Sequence, residues 1–203
     1  MINLLVSLIL AYLIGSIPTS FIFAKIFKKV DIRRHGSGNV GATNVFRVVG
    51  KAPALIVLAI DIFKGIFVVA ILPGIFFDNA IGIRLGLELY RILLGLFVIG
   101  GHVWSVFLKF KGGKGVATTA GVLCVIAPEI LGGTVIVWII VFAIFHIVSI
   151  ASIVAGVVLP IVALLLGSPV YLVLFCVFLC IMDTYKHREN IKRLLRGEEK
   201  KLF

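Results

Sequence analysis

The chain has 203 residues, 61% of them hydrophobic, with a net charge of +11. Soluble domains average about 45–50% apolar residues, so this composition excludes an ordinary soluble domain and predicts a single integral membrane domain over residues 1–203. The basic residues sit in clusters between apolar stretches, which argues against a nucleic-acid partner and for a phosphate-bearing ligand or anionic lipid.

The opening MINLLVSLILAYLIG has no basic segment ahead of its apolar run and no A-x-A cleavage site. It predicts a retained membrane helix rather than a signal peptide. A crossing needs about 20 mostly apolar residues. Seven spans are expected, near 2–24, 53–73, 89–108, 115–128, 132–148, 150–166 and 169–184, the fourth of them short. The boundaries come from Pro128, the Gly132–Gly133 pair, SIAS at Ser149–Ser152 and GSP at Gly167–Pro169. Cys124, Cys176 and Cys180 all lie in apolar runs without a C-x-x-C pair, so they read as small buried hydrophobes.

Charge sets the orientation. Seven Lys/Arg lie between Lys25 and Lys51, three between Lys109 and Lys114, and seven between Lys186 and Lys201. The connections near Gly74–Gly82 and Pro128–Leu131 carry acids but no Lys or Arg before Arg84. Basic loops stay cytoplasmic. The expected fold is therefore all-α, with the N-terminus outside, the C-terminus inside, and the polar loops converging on the cytoplasmic face.

Three polar segments carry candidate chemistry. The first, HGSGNVGATN after Arg33–Arg34, combines glycines that admit close backbone approach with the hydrogen-bonding side chains of Ser37, Asn39, Thr43 and Asn44. Arg47 follows Asn44 by three residues, so a short helix there puts both on one side. By itself this segment reads equally well as an ordinary polar loop. The second, KFKGGKGVATTAG, does not fit the nucleotide-binding pattern G-x-x-x-x-G-K-[ST]. It offers Gly112, Gly113 and Gly115 for backbone approach, Lys111 and Lys114 for charge, and Thr118 and Thr119 at the start of the next helix, where an anion is favoured. The third, YKHRENIKRLLRGEEK, is a basic helix suited to an anionic membrane surface, with His187 and Asn190 one turn apart. Within the second span, Asp61 and Lys64 are i, i+3. They form a structural pair or support the polar face.

These blocks, GSIPTS…DIRRHGSGNVGATN..R..G, GGHVWSVFLKFKGGKGVAT and KHRENIKRLLRGEE, together with D..KG at Asp61–Gly65 and VS..S at Ser149 and Ser152, resemble the bacterial membrane family of acyl-phosphate:glycerol-3-phosphate acyltransferases over essentially the whole chain. The chain departs from the family pattern at His146–Ile147, where the family commonly has Arg and an aromatic. The resemblance implies transfer of a fatty acyl group from acyl phosphate to glycerol 3-phosphate in the bacterial inner membrane. The products are lysophosphatidic acid and inorganic phosphate, in the first acylation step of phospholipid synthesis. It implies catalytic roles for Ser37, Arg47 (Arg33 in reserve), Lys114, His187 and Asn190, and a structural role for Glu198 or Glu199. It implies substrate contacts from Arg33, Gly38, Asn39, Thr43, Asn44, Lys111, Gly112, Gly113, Gly115, Thr118 and Ser149. No metal or cofactor is expected. The proton acceptor is His187 or the phosphate of glycerol 3-phosphate.

Other classes fit less well. An H-x-x-x-x-D acyltransferase is excluded, because Val40, Phe107, Ala151 and Lys192 stand five residues after the four histidines, where the Asp would be. Asp31, Asp61, Asp78 and Asp183 are too dispersed for a two-metal phosphatidyl transferase. A transporter is disfavoured by the lack of an internal repeat.

Overall fold

The computed structural model describes residues 2–202. Every regular element among them is helical: α1 (Ile2–Ser16), α2 (Thr19–Lys28), α3 (Ala42–Val48), α4 (Lys51–Phe76), α5 (Asn79–Val103), α6 (Val116–Ile126), α7 (Pro128–Phe145), α8 (Val148–Leu165), α9 (Val170–Lys186) and α10 (Arg188–Leu195). In lipid the backbone polar groups must be satisfied within the chain, and helices do this segment by segment. The residues fall into two compact units, one ending at Ile126 and one beginning at Ala127.

Five helical stretches are long and apolar enough to cross a membrane: Ile2–Lys28, Lys51–Phe76, Ile81–Leu108, Pro128–Phe145 and Val148–Leu165. A sixth exists if α9 and α10, bent by 57° at their junction, count as one span. This differs from the seven expected. The predicted span 115–128 holds only the 11 residues of α6, about 16 Å at 1.5 Å per residue, against a hydrocarbon core of about 30 Å. The SIAS break also moves. α8 already starts at Val148, and the chain reverses at His146, whose left-handed backbone (φ 57°) ends α7.

In the first unit the predicted helix 2–24 is interrupted. Pro18 has no N–H and cannot continue the helix, so α1 ends at Ser16 and α2 begins anew at Thr19. Two helix seams are closed by glycine. A methyl group on Gly15 would strike the Val98 carbonyl, and one on Gly101 the Tyr12 carbonyl, so α1 and α5 meet backbone to backbone. The same holds for α4 and α6, where Gly65 abuts the Thr118 carbonyl and Gly121 the Ile62 carbonyl. Small residues at such seams give the close packing that replaces the hydrophobic effect between helices in lipid. Apolar side chains such as Leu5, Ile9, Phe63 and Ile71 remain on the outer faces.

In the second unit α7, α8 and α9 pack in sequence. Trp138 Nε1 donates to Ser152 Oγ at 3.2 Å across the α7–α8 seam. The tail folds back on this unit, with Leu202 N donating to the His146 carbonyl at 2.9 Å.

Candidate active site

The loop between α2 and α3 is organised by one buried side chain. Asn44, 1% exposed, accepts from the Ser37 backbone N–H at 2.9 Å. Its amide nitrogen donates to the carbonyls of His35 and Asn39, both at 3.0 Å, and lies 3.2 Å from that of Ile32. Gly36 has no room for a Cβ because the Asn44 carboxamide occupies that space. The Asn44 amide thus holds together the loop in which it is expected to meet substrate. It sits in the short helix α3 together with half-buried Arg47, and Ser37 is left exposed at the surface of the loop. Arg33, the reserve candidate, is bound to Asp31 through Nε at 3.0 Å and Nη2 at 2.7 Å and lies over the Phe21 ring. This guanidinium holds the Asp31 carboxyl well below the usual carboxylate range. Gly38, Asn39 and Thr43 line the half-buried part of the same loop.

The glycine-lysine segment after α5 packs against this loop. A methyl group on Gly113 would strike both the Val40 carbonyl and the His102 ring, and one on Gly112 the His102 carbonyl. The N–H groups of Gly112 and Gly113 donate to the carbonyls of Val103 (3.2 Å) and His102 (3.1 Å). These two amides cap the end of α5. Lys114 is half-buried, Lys111 is exposed, and Gly115 turns the chain into α6 with φ 91°. Thr118, expected as a ligand, is fully buried, and its Oγ1 lies 3.2 Å from His102 Nδ1.

Beneath the two loops lies a polar cluster that the sequence motifs did not single out as a site. Lys64 Nζ pairs with Asp61 Oδ1 at 2.7 Å, and both are nearly inaccessible. Thr19 Oγ1 donates to Asp61 at 2.5 Å. Lys64 also donates to the Ile17 (3.1 Å) and Gly15 (3.3 Å) carbonyls, and Ser105 Oγ to that of Ser16 at 2.5 Å. Where Pro18 breaks the helix, the Gly15, Ser16 and Ile17 carbonyls therefore accept from side chains of α4 and the α5–α6 connection, Ile17 also from the Thr19 N–H at 3.0 Å. Both readings of the Asp61–Lys64 pair hold: it is a structural pair, and it supports the polar face. The signal available in the sequence is the set of polar residues, Ser16, Thr19, Ser20 and His102, inside apolar runs.

The second unit gathers the third motif. Glu199 accepts from Ser149 Oγ at 2.8 Å, Asn190 Nδ2 at 2.6 Å and Arg193 Nε at 2.6 Å. Burial pushes this carboxyl up, but the three hydrogen bonds outweigh it and bring it below its ordinary value. Of the two glutamates expected to be structural, Glu199 is the one held, and Glu198 is exposed. Ser149, expected as a substrate contact, is engaged here. His187, 2% exposed, presents Nδ1 to Asp183 Oδ1 at 3.0 Å and to the Asp183 carbonyl at 2.9 Å. A carboxylate behind an imidazole orients the ring. Among the described residues no three His, Cys, Asp or Glu side chains come together as a metal site.

Apolar helices of membrane-crossing length, with two interlocked glycine-rich loops at helix ends, define an integral membrane protein with a polar site built from its connections. The family model described as glycerol-3-phosphate acyltransferase matches residues 5–197, and the chain belongs to that family. A glycerol-3-phosphate acyltransferase of Desulforudis audaxviator is 47% identical over 94% of this chain and 91% of its own length. One from Staphylococcus aureus is 44% identical over 98% of both. A crystal structure of PlsY (YgiH), an integral membrane glycerol 3-phosphate acyltransferase in its glycerol 3-phosphate form, superposes with a TM-score of 0.86 at 37% identity, covering 98% of this chain and 94% of that one. The lysophosphatidic acid form of that protein gives 0.83 at 36% identity. The chain is accordingly an acyltransferase acting on glycerol 3-phosphate.

Proposed function

We propose that this acyltransferase takes its acyl group from an acyl phosphate and passes it directly to glycerol 3-phosphate, releasing lysophosphatidic acid and inorganic phosphate as the first acylation of phospholipid synthesis. The observation that carries this reading is the interlock of the two glycine-rich loops at Gly113 and Val40. It brings the Ser37–Arg47 loop and the Lys114 loop to one end of the first unit. A hydroxyl oxygen of glycerol 3-phosphate attacks the acyl carbonyl carbon, the bond from that carbon to the phosphate oxygen breaks, and phosphate departs with the bonding pair. The hydroxyl proton passes to a phosphate oxygen of the substrate. An acyl phosphate is already activated, so alignment and charge stabilisation suffice. Arg47 and Lys114 supply charge, and Ser37 supplies a hydrogen bond. His35, the base nearest Ser37 in sequence, turns its Nδ1 to the Asp31 carbonyl at 2.9 Å, which favours Ser37 as a hydrogen-bond donor over a nucleophile.

The charge pattern supports a bacterial inner-membrane orientation with N-terminus outside, C-terminus inside and loops facing the cytoplasm, α6 serving as a short seventh crossing. Labelling of single cysteines at the exposed positions 34, 109 and 195, and at 148, from the cytoplasmic side alone is the expected result. The chemistry is tested with radiolabelled acyl phosphate. Phosphate release should require glycerol 3-phosphate, and no label should remain on the protein when the acceptor is omitted. Label on Ser37 that chases into lysophosphatidic acid would overturn direct transfer.

A further inference from the structure

Where α1 stops and α2 begins, a cleft opens that is lined by Ser16, Ser20, Val40, His102, Gly112 and Gly113. Ser16 and Ser20 are 0% and 1% exposed, and neither hydroxyl has a hydrogen-bond partner. Buried hydroxyls are seldom left so. The neighbouring hydroxyls are engaged, Thr19 on Asp61 and Ser105 on the Ser16 carbonyl, so the unpartnered pair is not a sign of general looseness. A second observation concerns the backbone. The ten-residue α2 starts at this cleft, and its N-cap, Pro18, contributes no side-chain cap. A helix N-terminus presents N–H groups and the positive end of the dipole. The third concerns charge. Lys64 is directed to Asp61 and the Gly15 and Ile17 carbonyls, and no lysine or arginine lines the cleft. Hydroxyls and a helix N-terminus without a formal cation suit one oxygen bearing partial negative charge better than a whole phosphate dianion.

We propose that this cleft is an oxygen-binding subsite of the acyl-transfer centre, in which the Ser16 and Ser20 hydroxyls and the start of α2 hold one oxygen of the reacting acyl phosphate system, on the acyl carbonyl or on a phosphoryl group. This assignment rests on the acyl-phosphate reading above. The interlocked Gly113 and Val40 form its opposite wall, which ties it to the two loops. The oxygen accepts from both serines, and these donors strengthen their hold as negative charge develops during attack or departure.

The test is steady-state kinetics of Ser16→Ala, Ser20→Ala and the double variant, varying acyl phosphate and glycerol 3-phosphate separately, with thermal unfolding in the same detergent. The double variant should lose roughly 10–100-fold in kcat/KM while its unfolding midpoint stays level or rises, because each alanine removes an unsatisfied buried hydroxyl. A fall in kcat with both KM values unchanged assigns the oxygen to the carbonyl. A rise in one KM, or weaker inhibition by inorganic phosphate, assigns it to a phosphoryl group. Kinetic constants within twofold of the parent would mean that the cleft holds only water, and would overturn the subsite while leaving acyl transfer standing. A loss of activity that follows a lowered midpoint would overturn it as well. Absence of glycerol 3-phosphate-dependent phosphate release in the parental protein would remove the acyl-phosphate reading itself, and this subsite with it.

Discussion

Two polar knots hold this molecule, and they are built for different surroundings. In the first unit Asp61 and Lys64 sit inside a membrane-length helix, dry, with their hydrogen bonds made to protein groups. In the second, Glu199 gathers Ser149, Asn190 and Arg193 at the end of a bundle, beside exposed Lys192, Glu198 and Lys200. Each is a carboxylate held by several donors. They differ in how they tolerate the loss of one partner. A charge stranded in a dry interior has no water to turn to, whereas one at a wet end does.

The largest expected effect breaks the dry knot. Lys64→Met leaves Asp61 without its cationic partner and the Gly15 carbonyl uncapped. It should cost about 3–5 kcal/mol, read as loss of folded protein in detergent by fluorescence size-exclusion chromatography. The double variant Asp61→Asn/Lys64→Met removes the stranded charge and should recover at least half of the folded yield. Next in size is Gly113→Ala, whose methyl meets the Val40 carbonyl and the His102 ring. Overpacking of this kind costs about 1–3 kcal/mol and should separate the two loops, seen as a lowered kcat/KM for glycerol 3-phosphate.

The wet knot should respond more gently. Glu199→Gln is expected to cost about 1–2 kcal/mol in thermal unfolding. The folded-state carboxyl lies below its ordinary value, so its stabilisation is present above the unfolded glutamate range and fades as pH falls through the depressed folded value. The parent should therefore lose unfolding midpoint on acidification, and the Gln variant should lose less. Smallest is Lys192→Ala, which removes a 3.1 Å pair between two exposed side chains, Lys192 and Glu189. Its effect on unfolding should stay under about 0.5 kcal/mol and shrink further in added salt.

The helices, the basic connections and the glycine loops are legible in the sequence because they are local: an apolar run, a charge cluster or a turn residue announces itself within a few positions. The roles inside the loops are not. Asn44 resembles a ligand by its type, and only folding shows its amide turned onto the Ile32, His35 and Asn39 carbonyls. Thr118 and Ser149 are alike in this: each hydroxyl finds a partner far off in sequence, His102 or Glu199. Gly112 and Gly113 announce a close backbone approach, and only folding shows that the end of α5 is one thing approached. The seven-span expectation comes from apolar runs and alternating charge, and neither shows that the run 115–128 folds into a helix of only 11 residues.

The glycine seam between α4 and α6 has a mechanical consequence. With Gly65 against the Thr118 carbonyl and Gly121 against the Ile62 carbonyl, no side chain lies between the two backbones to act as a bearing. Sliding or rolling of one helix on the other would drive carbonyl into carbon, so the two move as a single strut. α4 carries the Asp61–Lys64 pair and α6 begins where the Lys114 loop ends. Gly115, with a φ of 91°, is where the stiff strut gives way to turning chain, so the Lys114 loop is anchored on one side to a part that cannot roll beneath it.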